Sequence, residues 1–94
     1  MWLLAINPTS GRGKGASVGQ QASNFLADRN ISYRIVTGAN ALQFQENLRR
    51  ESSDVTGIIA VGGDGLLHMA IQVAAQANLP LVTIPAGTGN DFVR

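Results

Sequence analysis

Gly57-Ile58-Ile59-Ala60-Val61-Gly62-Gly63-Asp64-Gly65-Leu66-Leu67-His68-Met69-Ala70-Ile71 is the stretch that decides the fold. It opens on a continuous apolar run and turns through glycines. It leaves in a segment where Leu67, Ala70, Ile71 and Ala74 recur at helical spacing. A run with no apolar-polar alternation is the pattern of a strand covered on both faces. A strand, a glycine turn and a helix in that order make the first half of a parallel crossover.

Working outward, the same pattern repeats. Trp2–Ile6, Tyr33–Val36 and Leu81–Ile84 are further apolar runs, and with Gly57–Val61 they give the candidate strands. Val18, Ala22, Phe25 and Leu26 form one helical stripe between them, and Ala41, Phe44 and Leu48 form another. Ser17-x-x-Gln20 and Asn40-x-x-Gln43 have the spacing of capping boxes, and Gly38 and Pro80 punctuate the elements. The order β-α-β-α-β-α-β predicts an α/β, three-layer, Rossmann-like domain with a four-stranded parallel sheet. Trp2 and Phe25 read as core rather than as stacking platforms.

Composition narrows the function. The chain of 94 residues is one small domain, 45% hydrophobic and 14% charged. It has no cysteine, which excludes disulfides, thiolate metal sites and thiol nucleophiles and makes the cytosol the default address. A net charge of +1 gives no reason to expect a nucleic-acid partner. No apolar run reaches the roughly 18 residues of a membrane span, and the opening Met1–Ile6 is too short for a signal peptide. From Val55 to Val93 only Asp64 and Asp91 carry charge, so those two need a reason. The chain stops at Arg94 within a polar loop, which predicts a fragment of a longer protein.

In such a sheet, ligands bind beyond the carboxyl ends of the strands. Asn7–Gly15, Gly62–Gly65 and Pro85–Asp91 are post-strand loops rich in small and polar residues, and a fourth opens at Thr37-Gly38. Gly62, Gly63 and Gly65 allow close backbone approach, and the helix after them adds unpaired N–H donors, a natural phosphate cradle. Asp64 would repel a bare phosphate, so a metal-bridged or water-bridged nucleotide fits better. The plainer alternative is a tight turn with Asp64 as helix cap. Gly87-Thr88-Gly89-Asn90-Asp91 offers a hydroxyl, an amide and a carboxylate to a nucleotide, or is an ordinary polar loop.

Asn7–Gly15 fits neither of two well-known phosphate loops. Pro8 stands where a Walker A loop begins with Gly, and Gly15 where it ends in Ser or Thr. Gly11, Gly13 and Gly15 are spaced two apart, and no acidic residue ends the second strand, so the dinucleotide fingerprint fails too. Arg12 and Lys14 reach phosphates or are solvated surface charge. His68, in the first turn of the third helix, faces the nucleotide or water, and it lacks the neighbours of a catalytic triad.

Three motifs in order carry a resemblance. Asn7-Pro8-x-Ser10-Gly11, Gly62-Gly63-Asp64-Gly65 and Pro85-x-Gly87-Thr88-x-Asn90-Asp91-x-x-Arg94 resemble the diacylglycerol kinase catalytic family, which includes bacterial lipid kinases and sphingosine and ceramide kinases. NAD kinases and phosphofructokinases share a turn like the middle motif, whereas the outer two select the lipid kinase branch. The resemblance implies ATP with Mg²⁺, bordered by Asn7, Pro8, Thr9, Ser10 and Gly11 and contacted by Thr37. It implies phosphate on Gly62, Gly63 and Gly65, Asp64 at the reacting phosphate or its metal as the catalytic residue, and His68, Gly87, Thr88, Asn90 and Asp91 around the nucleotide. It also implies a β-rich second domain that holds the lipid and the group that deprotonates its hydroxyl, and a whole protein that touches the membrane surface transiently.

The sequence departs from that family at two positions. Leu66 stands where Thr is usual, removing a hydroxyl from the phosphate's neighbourhood, and Met69 stands where Glu is common. The expected function is therefore ATP-dependent phosphorylation of a lipid hydroxyl. The rivals are a nucleotide-binding regulatory module without turnover and an NAD kinase.

Overall fold

The computed structural model describes residues 1–7 and 14–85. The elements run β1 (Trp2–Ile6), α1 (Lys14–Asp28), β2 (Tyr33–Val36), α2 (Ala41–Glu51), a short 3₁₀ turn (Ser52–Asp54), β3 (Gly57–Gly62), α3 (Asp64–Ala77) and β4 (Leu81–Pro85). The strands form one four-stranded sheet in the order β2-β1-β3-β4, and each neighbouring pair is parallel. This is the three-layer, Rossmann-like α/β domain that the apolar runs predict.

The central strands are buried on both faces because both faces are covered. Leu3, Ala5, Ile58 and Ala60 pack with Phe44 and Leu48 of α2 and with Leu66, Ala70, Val73 and Ala74 of α3. Leu4, Ile6, Ile59 and Val61 point the other way, where Val18, Ala22 and Leu26 of α1 meet them. The chain steps from β1 to β2 in one direction, then from β2 across to β3 and on to β4 in the other. Right-handed crossovers put the helix of the first step on the face opposite the other two. That is where α1 lies.

Local sequence explains how the elements are bounded. Gly19 lets α1 settle close to β1, since a Cβ there would lie 2.7 Å from Cδ1 of Ile6. Asn40 caps α2, accepting at Oδ1 from the N–H of Gln43 at 2.9 Å, while Oε1 of Gln43 accepts from the N–H of Ala39 at 2.8 Å. The predicted box therefore forms with its return bond displaced by one residue. Asn30 and Asn78 follow α1 and α3 in left-handed backbone, with φ of 57° and 58°. Beyond them the N–H groups of Ile31 and Leu79 reach back to the carbonyls of Leu26 and Ala74 at 2.9 Å, satisfying the helix ends.

Three expectations are corrected. Ser17 does not cap α1, because the helix already begins at Lys14 and a cap must stand outside helical backbone. Phe25 is not core. It is 52% exposed, with the guanidinium of Arg29 3.7 Å from its ring centroid, because the buried stripe of α1 centres on Gly19, Ser23 and Leu26. Ile71 and Ala41 are likewise exposed, the buried face of α3 being Leu66, Ala70, Val73 and Ala74. Trp2 is half-buried over Gly57, where a Cβ would lie 2.6 Å from its Cζ3.

Candidate functional site

The strand order reverses between β1 and β3, the switch point at whose carboxyl edge ligands bind in open parallel sheets. The N–H of Asn7 donates to the carbonyl of Val61 at 3.2 Å, so the loop after β1 starts beside the Gly62-Gly63 turn after β3. Since α2 and α3 share a face and pack together, their N-terminal halves border a groove of about 760 Å³. That volume lies in the range of small-molecule sites. Asn7 stands at its head; Gly38, Asn40, Phe44 and Gln45 form one wall, and Gly65, His68, Met69 and Gln72 the other. None of the described lining residues is charged.

The Gly-Gly-Asp-Gly turn divides into structural and open positions. Gly62 ends β3 and is fully enclosed, because a Cβ on it would lie 2.4 Å from Cδ2 of Leu66. Gly65 is different. A Cβ there would meet nothing within 4 Å, and the position lines the groove, so packing does not demand a glycine. Gly63 is the N-cap of α3 and, having no side chain, makes no side-chain capping bond. The first intrahelical bond runs from the N–H of Leu67 to the carbonyl of Gly63 at 3.0 Å. The N–H groups of the helix's opening turn point out of its end. Asn40 occupies the equivalent end of α2, so α3 is the helix of the pair that presents an uncapped N-terminus at the groove.

Asp64 is the first residue of α3 and is exposed, beside the groove rather than in its lining. It is therefore not the helix cap, which is Gly63. His68 opens the second turn of α3, not the first, since the helix starts at Asp64. It is exposed along the groove, with Nε2 3.3 Å from Nε2 of Gln72. Thr37 faces a separate cleft of about 160 Å³, and its carbonyl accepts from Nδ2 of Asn47 at 2.8 Å. Leu66, which stands where the resemblance leads one to expect Thr, is 6% exposed; it packs against Gly62 in the core and also borders the groove.

Asn7, Gly65 and His68 thus meet in the groove, with Gly62, Gly63 and Asp64 forming the adjoining turn, and Thr37 stands apart. Pro8, Thr9, Ser10, Gly11, Gly87, Thr88, Asn90 and Asp91 lie outside the described residues. Sequence reasoning missed Gln45, Met69 and Gln72 as groove walls. The signal was present: Gly65, His68, Met69 and Gln72 are spaced i, i+3, i+4 and i+7, a second stripe on α3 beside the buried one.

Comparison with known proteins identifies the family. The diacylglycerol kinase catalytic domain family matches residues 1–94. A diacylglycerol kinase of Mycobacterium tuberculosis (strain ATCC 25618 / H37Rv) is 36% identical over 89 residues, covering 94% of this chain and 29% of the relative. Sphingoid long chain base kinase 4 of Schizosaccharomyces pombe is 31% identical over 102 residues, covering 97% and 22% respectively. Sphingosine kinase B of Dictyostelium discoideum is 26% identical over 99 residues, covering 93% and 12%. The chain spans under a third of the length of these relatives. With a full-length family match and a parallel sheet whose glycine turn opens on a groove at the switch point, the chain belongs to the diacylglycerol kinase catalytic domain family of lipid kinases.

Proposed function

We propose that this domain binds ATP with Mg²⁺, the phosphates on the N-terminus of α3 and the rest of the nucleotide along the groove. The observation that carries this is the uncapped start of α3 beside Gly65, whose missing side chain the packing does not require. Helix N–H donors and the positive end of the helix dipole favour a polyanion there. The uncharged groove suits a neutral base and sugar, with Gln45, His68 and Gln72 offering donors and acceptors along its length. Mg²⁺ arrives with the phosphates, and Asp64 is the carboxylate at the turn.

The nucleotide supplies the phosphoryl group, and transfer to a lipid hydroxyl in the whole protein depends mainly on positioning and charge neutralisation. In that scheme Gly63–Gly65 hold phosphate by backbone, and Asp64 orients the metal-bound end. The lipid, the group that deprotonates it and the contact with a membrane surface belong to a further β-rich domain of a whole, cytosolic protein. The test is full-length protein with labelled ATP and diacylglycerol. Transfer that falls sharply in Asp64→Ala is expected. Undiminished transfer removes Asp64 from the chemistry, and failure of the wild type to bind ATP·Mg²⁺ overturns the nucleotide site. The 94-residue chain alone is expected to bind weakly and transfer nothing, since half a cleft neither excludes water nor positions an acceptor.

Met69 favours a second reading. It places a thioether on the groove wall where the family resemblance implies a carboxylate, as a module that binds nucleotide without turnover would have it. Calorimetric binding of ATP·Mg²⁺ without phosphorylation of any lipid or of NAD would select it.

A further inference from the structure

The loop after β2 is one wall of the groove, and it is held from several sides. Gly38 sits against α2 so closely that a Cβ would lie 2.5 Å from the Cα and N of Phe44. Ala39 and Asn40 exchange backbone and side-chain bonds with Gln43 at 2.8 and 2.9 Å. The point where this loop leaves the sheet, Thr37, is held by a side chain that does not line the groove. Nδ2 of Asn47 donates to the carbonyl of Thr37 at 2.8 Å.

Asn47 uses both ends of its amide. While Nδ2 holds Thr37, Oδ1 accepts from Nη2 of Arg50 at 2.9 Å. Reversing the amide would face its NH₂ to a guanidinium and its oxygen to a carbonyl, so the partners fix its orientation. Arg50 in turn lies 4.0 Å from Oε2 of Glu51, whose Oε1 pairs with Arg34 on β2. A polar chain of Arg34, Glu51, Arg50 and Asn47 therefore runs along the β2 flank and ends on the backbone at the entry to the groove wall.

We infer that Asn47 is a positioning residue for the nucleotide groove, fixing the point where the chain enters the 38–40 wall through the Thr37 carbonyl while Arg50 locks its amide. This rests on the nucleotide reading of the groove. A wall that drifts spoils contacts to the part of the nucleotide beyond the phosphates, so the effect falls on nucleotide binding and not on the lipid or the transfer step.

The test uses the full-length protein and the near-isosteric Asn47→Asp, which keeps the acceptor for Arg50 and removes the donor to Thr37. Loss of one such hydrogen bond corresponds to a rise of about threefold to tenfold in KM for ATP. KM for the lipid and kcat are expected to be unchanged, and amide exchange at Gly38 and Ala39 to be faster. An unchanged KM for ATP, or equal losses in all three kinetic constants, overturns the inference. If Asn47→Asp does not fold, Arg50→Leu carries the test, with a smaller rise in KM for ATP expected and none overturning it. Failure of the wild type to bind ATP·Mg²⁺ is a separate result, and it removes the nucleotide reading together with this inference.

Discussion

Leu66 occupies the space that a side chain at Gly62 would need: its Cδ2 lies 2.4 Å, and its Cβ 3.1 Å, from where that Cβ would stand. The end of β3 and the first turn of α3 are locked by this contact, which makes one glycine of the turn a packing residue.

Gly62→Ala is accordingly expected to destabilise the domain by about 1–3 kcal/mol, the usual cost of overpacking a filled core. Urea denaturation measures it. Leu66→Thr restores the hydroxyl that the family resemblance leads one to expect, but it places that group in the core and removes buried carbon. A loss on the order of 2 kcal/mol is expected, with no gain in ATP affinity by calorimetry. Tighter ATP binding by this variant would return position 66 to the phosphate site.

Gly65→Ala should move stability and binding in opposite directions. Nothing crowds the new Cβ, and Ala in place of helical Gly stabilises by about 0.5–1 kcal/mol. Phosphate that is pushed off one or two backbone donors forfeits about 1–2 kcal/mol, a roughly fivefold to thirtyfold rise in Kd. Thermal melting and ATP calorimetry on the same sample test the pair. A Kd that does not change would mean that phosphate does not approach the start of α3.

Asn40 separates capping from groove chemistry. Asn40→Ala removes the acceptor for the N–H of Gln43 and is expected to cost about 1 kcal/mol. Asn40→Asp keeps an acceptor at the positive end of α2, so stability is held or raised. It also sets a negative charge in a groove whose described lining is uncharged, and ATP affinity should fall. Equal ATP affinity in Asn40→Asp and wild type would place the phosphates far from α2.

Asn78 ends α3 at φ 58° and ψ 46°. Asn78→Ala puts a less tolerant residue in left-handed backbone, at about 1–2 kcal/mol, whereas Asn78→Gly relieves the steric constraint and is expected within a few tenths of wild type. Melting temperatures of the two variants check the order.

Much of this protein was legible in its sequence because the signals are local. Apolar runs gave all four strands to within a residue at each end. The central β1 and β3 are apolar throughout because both their faces are buried, whereas β2 and β4 are edge strands that leave Ile35 and Val82 about half exposed. Asn40 and Gln43 marked the start of α2 because a cap is a bond between near neighbours. Ser17 misled because the capping pattern also occurs inside a helix, and Phe25 because hydrophobic character does not say which side of a stripe the sheet will meet.

The identity of the turn, its place after a strand and the family it signals were determined by sequence alone, through glycines and short-range order that need no tertiary contact. Only the folded structure decided which glycine is open and which is packed, that Leu66 is core, and that Gln45 and Gln72 face one another's groove. The physical reason is topological: the crossovers from β2 to β3 and from β3 to β4 run in the same direction, so their right-handedness places α2 and α3 side by side on one face, and residues far apart in the chain become the two walls of one site.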